Sequence, residues 1–217
     1  MSTDIIPNEW KFAFVECEKL MQHNLECLSH RRRLLQSRGI RIFPSDEMLF
    51  ESLHMIAPQE VRLVVVLPRP YPFDSGTGIP CMIRGDIGVK PRALQNIQKI
   101  FKTKDNDFEE VWKQGALLCN ISQTEEEPHD NKIPHEIFWS LVFESLLKYL
   151  SLHHSNIVFC FTGSGGNKYK KFVDLSQGHA IVELPSIADS AFVERFEAEV
   201  CPELLKMRAR NDTMNRS

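Results

Sequence analysis

No stretch of this 217-residue chain stays apolar for the roughly 20 residues that a membrane helix needs. Its longest apolar runs are strand-length, so no membrane partner is expected. Met1–Pro7 lacks the charged-then-apolar pattern of a secretory leader. The six cysteines (Cys17, Cys27, Cys81, Cys119, Cys160 and Cys201) include no C-x-x-C pair. Three of them lie in strongly apolar runs, where a reduced thiol packs as a small hydrophobe. A reducing, cytoplasmic setting is therefore expected, with no metal, iron–sulfur cluster or other cofactor, because such sites need clustered ligands. A charge excess is missing too: 26 Lys plus Arg against 29 Asp plus Glu leave a net charge of −3. Nothing global advertises a polyanion partner, and any contact with DNA must use a local basic patch.

What is present suits one α/β domain. With 42% hydrophobic residues the chain can bury one full core, and a single domain over residues 1–207 is expected, as a monomer, with a flexible polar tail over 208–217. Trp10, Phe14, Cys17, Met21, Leu25 and Leu28 recur at a three-to-four spacing, which predicts an amphipathic helix capped by Asn8 and ending near Gly39. Arg31, Arg32 and Arg33 then read as a solvated helix terminus. A second helix is expected from Ser45 or Asp46, carrying Leu49, Phe50 and Leu53. Four short apolar runs, Leu63–Leu67, Ala116–Ile121, Ile157–Thr162 and Ala180–Leu184, suit buried parallel strands. The helical patterns Pro91–Phe101 and Ile137–Leu150 fall between strands. This alternation predicts a three-layer α/β/α fold around a central four-stranded, mainly parallel sheet. Asp74–Gly88 and Gln123–Asn131 read as loops, and Glu125, Glu126 and Glu127 as a solvated acid run.

The strand ends carry a set of motifs. Leu63–Leu67 runs into Pro68, Arg69, Pro70, Tyr71 and Pro72. Gly39–Pro44 precedes this segment, and PRALQNI at Pro91–Ile97, WKQGALLCN at Trp112–Asn120, His135 to Trp139, Phe161–Ser164 and Leu184–Ser186 follow it in order. In order and spacing these segments resemble the uracil-DNA glycosylase superfamily, specifically its uracil-excising family, from about Gly39 to Phe192. Gly39–Pro44 resembles the family's entry to its core, and the other pieces resemble, in turn, its G-Q-D-P-Y-H loop, P-x-x-L-x-N-I helix start, W-x-x-Q-G-V-L-L-L-N strand, H-x-x-x-W helix, W-G-S turn and H-P-S motif. The loop YPFDSGTGIP is closest to the poxviral members, which also serve in replication processivity.

The resemblance implies a nucleotide flipped into a pocket and a sugar–base bond that breaks through an oxocarbenium-like state. In that family a carboxylate places water, a histidine donates to the departing base, an asparagine reads the base edge and a phenylalanine stacks on it. A tyrosine limits bulk at C5, and serines hold phosphates. Carried over position by position, Asn120 and Tyr71 are kept, and Ser164 and Ser186 take phosphate-holding places. Arg69 stands for the aspartate, Cys81 for the phenylalanine, Leu184 for the histidine, Ala93 for a serine and Ala188 for a leucine wedge. Arginine is no base at neutral pH and leucine donates no hydrogen bond. Asp74, three residues past Tyr71, is the nearest carboxylate in the loop that could place water.

Three readings stay open at this point. The first is a glycosylase acting on a modified, bulky pyrimidine of the kind found in some bacteriophage DNA, and so a defence enzyme, with Asp74 and Asn120 catalytic and Arg69, Tyr71, Cys81, Asn120 and Leu184 around the base. The second is a catalytically inactive module that binds DNA or a replication protein. The third is slow uracil excision. Simpler roles accompany each residue: Asn120 as a strand-end cap, Asp74 as a turn former, Cys81 as a packed thiol, Tyr71 as core, and Arg69 paired with Asp74 or Asp86. His179 precedes Leu184 by five strand residues, roughly 16 Å, which puts it at the wrong end of the sheet. His129 and His135 are better placed near the mouth, and His153 and His154 should end a helix.

Overall fold

A computed structural model describes residues 5–71, 76–85, 88–104, 107–127 and 134–214. Its elements, in chain order, are α1 (Glu18–Gln36), β1 (Arg41–Phe43), α2 (Glu51–Met55), β2 (Leu63–Leu67), α3 (Arg92–Phe101), α4 (Glu109–Lys113), β3 (Ala116–Asn120), β4 (Glu125–Glu127), α5 (Glu136–His153), β5 (Val158–Thr162), β6 (Ala180–Leu184), α6 (Phe192–Arg195) and α7 (Cys201–Met214). The four apolar runs form one parallel sheet in the order β3-β2-β5-β6, so the expected architecture holds. Leu-Val-Val-Val-Leu makes β2 a central strand, because β-branched side chains pack well on both faces of a pleat that helices cover.

Side chains alternate across the sheet. Val64, Val66, Leu117, Cys119, Phe159 and Phe161 join one core with Trp10, Phe14, Leu28, Trp139 and Leu147 from residues 8–17, α1 and α5. Leu63, Val65, Leu67, Leu118, Val158 and Cys160 join the other with Leu94, Ile97, Phe192, Phe196 and Met207 from α3 and the C-terminal helices. The parallel register brings Leu67 opposite Asn120 and Thr162 opposite Leu184, so all four strands end at one rim.

Several local expectations change. Residues Asn8–Cys17 are 3₁₀ rather than α-helical, Pro7 precedes them, and Asn8 caps nothing. Trp10, Ala13, Phe14 and Cys17 fit a period of 3.0 as well as 3.6, so the spacing alone did not separate the two. The second helix is split: a 3₁₀ turn at Asp46–Met48 is cut off from α2 by Phe50 in the left-handed region.

The acid run is no solvated loop. Glu125–Glu127 pairs antiparallel with Arg41–Phe43, and Glu125 and Glu126 are buried. The arginine run supplies the reason, since Arg31 bonds Glu126, while Arg32 bonds Asp46 and the carbonyls of Ile42 and Pro44. Arg31 and Arg32 are therefore half-buried clamps, and only Arg33 of the three is fully exposed.

The expected tail is helical as far as Met214. Arg210 donates to the Gly178 carbonyl at 3.2 Å and Asn156 donates to Asn211 at 2.7 Å, which ties this polar segment to the sheet. All six cysteines are free, and no helix among the described residues is long and apolar enough to cross a membrane.

Candidate functional site

Just beyond the C-terminal tip of β2 the chain turns through Pro68 and Pro70, which have no amide N–H to donate, although the Pro68 carbonyl still accepts from the Ser122 amide at 3.0 Å. That turn opens a hollow of about 390 Å³, bordered by Arg69, Tyr71, Cys81, Ala93, Ile187 and the three glutamates of β4. Its floor is apolar and its rim is charged.

Cys81 lies in the floor with φ of 65°, a backbone region that non-glycine residues seldom adopt and that surrounding structure must enforce. Burial pushes its thiol up to about 12, so it is a packing group and not a nucleophile. Burial also raises the Tyr71 phenol above its ordinary value, assisted by its proximity to Cys81. Ile187 is held in the wall because Asn96 donates to the carbonyls of Ile187 and Asp189 at 2.7 and 3.0 Å. The asparagine of the PRALQNI segment thus fastens α3 to the loop after β6.

Among the described residues Arg69 is paired with Glu125; Asp74 and Asp86, its expected partners, and His129 lie outside the described residues. Arg69 Nη1 stands 3.3 Å from Glu125 Oε2. Glu126 belongs to a buried chain. Trp139 Nε1 donates to Thr124 Oγ1 at 2.8 Å, Thr124 meets His135 Nδ1 at 2.7 Å, and His135 Nε2 meets Glu126 Oε1 at 2.8 Å. Arg31 Nε closes the chain on the same Oε1 at 2.5 Å. Each group finds a partner if Thr124 donates to Nδ1 and Nε2–H donates to the carboxylate, which is neutral imidazole. Burial lowers the His135 pKa, outweighing the pull of Glu126 in the other direction. For Glu126, burial acts upward, yet the bonds and charges of Arg31 and His135 hold it below the usual carboxylate range.

The remaining expected residues divide into two places. Asn120, at the tip of β3, borders a separate, nearly closed hollow of about 20 Å³ with Phe50, Trp139 and Gln123, not the hollow of Arg69. It is 2% exposed and its Oδ1 has no partner. Leu184 is buried at the tip of β6 and lines neither hollow. Ser164 and Ser186 are exposed on neighbouring turns, where the Gly163 amide bonds the Leu184 carbonyl at 2.9 Å and Ser186 Oγ accepts from the Ala188 amide at 3.4 Å. Arg69, Tyr71 and Cys81 therefore share one hollow, while Asn120, Leu184, Ser164 and Ser186 stand elsewhere on the rim.

His179 lies at the opposite end of the sheet, as its distance from Leu184 implied. It accepts from the Ile157 amide and meets the Ser151 carbonyl, both at 3.0 Å. Glu125, Thr124 and Arg31 do not stand out as site residues in the sequence. The signal that could have found them is three consecutive acids shortly after the WKQGALLCN strand, in a chain with an arginine run free to meet them. Among the described residues, no three His, Cys, Asp or Glu side chains gather as a metal cage.

No protein-family model matches the chain. Among curated proteins, the uracil-DNA glycosylase of Francisella tularensis is 28% identical over 156 residues, covering 68% of this chain and 70% of its own. That of Borrelia turicatae is 26% identical over 174 residues, covering 72% and 76%. Among solved structures, mimivirus uracil-DNA glycosylase superposes with a TM-score of 0.67 at 17% identity, over 89% of this chain and 84% of that one. The enzyme from Nitratifractor salsuginis gives 0.52 at 15% identity over 92% of each. Those two structural likenesses concern the fold, and the curated relatives agree with them in sequence. The chain is similar in sequence and in fold to uracil-DNA glycosylases.

Proposed function

We propose that this protein is a DNA glycosylase that receives an extruded nucleotide and hydrolyses its sugar–base bond, with a modified pyrimidine rather than uracil as the base. The observation that carries this reading is the hollow at the tip of β2, where Tyr71 and Cys81 line one space of about 390 Å³. That volume falls in the range of small-ligand sites. The resemblance puts a stacking phenylalanine at Cys81, and the smaller thiol leaves room there for a larger base. Ala93 likewise offers little bulk, and Arg69, with 58% of its side chain exposed at the rim, offers donors to a phosphate or a polar substituent. Ser164 and Ser186 are exposed on the same rim, where phosphates would pass, and Asp74 is the loop's own acid, while Asn120 borders the neighbouring hollow. Phage DNA carrying hypermodified pyrimidines is the source of substrate to which this reading points.

Abasic-site assays on duplexes containing uracil, 5-hydroxymethylpyrimidine and glucosylated pyrimidine test it. Release from a modified duplex is expected, and silence on all three overturns it. A second reading, a DNA-binding module without base release, draws on Leu184, which is 5% exposed and puts hydrocarbon where the family has imidazole. It expects a gel shift with no abasic product.

A further inference from the structure

The resemblance gives the β2 loop a carboxylate that this chain has replaced with Arg69, yet three carboxylates border the same hollow from β4. They are not equivalent. Glu126 has one oxygen bound to both Arg31 and His135. Glu127 is exposed at the strand end. Glu125 is 8% exposed, and strand alternation sends it away from Glu126, toward Arg69.

Its Oε2 lies 3.3 Å from Arg69 Nη1, longer than the roughly 2.7–2.9 Å of a tight charge-assisted bond. Its Oε1 accepts from the Glu126 amide, also at 3.3 Å. Arg69 is more than half exposed. The guanidinium therefore holds the carboxylate beside the hollow at the distance of a tether and not of a tight ion pair. The strand cannot drift: Glu125 faces Phe43 across the β1–β4 ladder, and the Trp139–Thr124–His135–Glu126–Arg31 chain fastens the residues on either side of it. A carboxylate fixed in a hollow of base-sized volume, with one exposed cation beside it, is built to orient a small donor.

We infer that Glu125 is the water-placing carboxylate of this site, with Arg69 as its positioning residue; this rests on the glycosylase reading above. In the step, water donates a hydrogen bond to Glu125 and its oxygen forms a bond to C1′ of the flipped nucleotide. The C1′–N bond breaks and its electron pair leaves with the base. The proton of the attacking water passes to Glu125 and then to solvent, and the departing base anion takes up a proton from solvent, so the products are the free base and an abasic sugar bearing a hydroxyl at C1′. No oxidant, reductant or metal is required.

The test uses the full chain and a duplex that the wild type processes, in single-turnover assays of abasic-site formation. Glu125→Gln should lower the rate by about 10²–10³-fold, the span of a lost general base, while its gel-shift affinity stays within about twofold of wild type. Formate added to Glu125→Ala should restore part of the rate, a rescue that a purely structural glutamate would not show. Arg69→Gln should give a smaller fall in rate. Glu125→Gln running at the wild-type rate overturns the inference and leaves the glycosylase reading intact. So does loss of release in Asp74→Asn with retention in Glu125→Gln, or failure of formate to restore any rate to a folded Glu125→Ala. A wild type that releases no base from any duplex overturns both.

Discussion

The two ends of the central sheet treat polar groups in opposite ways. At the N-terminal ends of β5 and β6, His179 uses both ring nitrogens on backbone groups, and α7 closes over the same region through Arg210 and Asn211. At the C-terminal ends, Asn120 Oδ1 is buried without a partner, Arg69 meets Glu125 only at 3.3 Å, and Ser164 and Ser186 face solvent. Buried polar groups are normally matched, and an unmatched one costs about 1–3 kcal/mol. Apart from His154 Nε2, which is buried without a partner near His179, the first end is organised for stability, and the other keeps hydrogen-bonding capacity in reserve. The boundary between the two regimes runs through Glu126, whose network is as complete as that of His179 although it borders the open end.

The largest effect should come from the stitched end. His179→Ala strands the Ile157 amide and the Ser151 carbonyl and removes a ring packed edge-on against Phe159. A loss of about 3 kcal/mol in urea unfolding is expected from two unmatched groups and a cavity.

Next comes Glu126→Gln, which leaves the half-buried Arg31 without its counter-charge and should cost about 2 kcal/mol by the same measurement. Acidification should then weaken the same network without mutation. Both His135 and Glu126 have folded pKa values below their unfolded ones, so the unfolded chain binds more protons and stability falls as pH falls. The His135 contribution is intact above pH 6.5 and declines below it, and the Glu126 contribution begins to decline only below pH 4.5. Unfolding midpoints between pH 8 and pH 5 should therefore drop, and His135→Gln should flatten that drop.

The smallest effect belongs to the open end. Arg69→Gln should change stability by less than about 0.5 kcal/mol, because an exposed, loosely paired guanidinium contributes little. A larger loss there would mean that the rim is stitched as tightly as the opposite end.

Much of this was legible from residue order. The four strands announce themselves as short, β-branched apolar runs, and alternation with helical patterns fixes a parallel sheet. The motif frame marked Arg69, Tyr71 and Cys81 as neighbours, which they are. Glu125 was not legible as a site residue. Three glutamates have low strand propensity, and Glu126 is buried here only because Arg31, 95 residues away in sequence, and His135 arrive to compensate it. The separation of Asn120 from Arg69 was hidden for a related reason. A strand-end position sets a residue's height along the sheet, but the chain that follows determines which hollow it borders.

Gly78 bears on how such a site could diverge. At φ of 79°, a Cβ built there would lie 2.0 Å from the Met48 carbonyl oxygen. The loop bearing Cys81 is therefore seated directly on the backbone just before α2, with no flexible side chain between them to absorb a shift. Any change in that short turn would be transmitted as a rigid displacement of the pocket floor, which makes residues that do not line the hollow a lever on its shape.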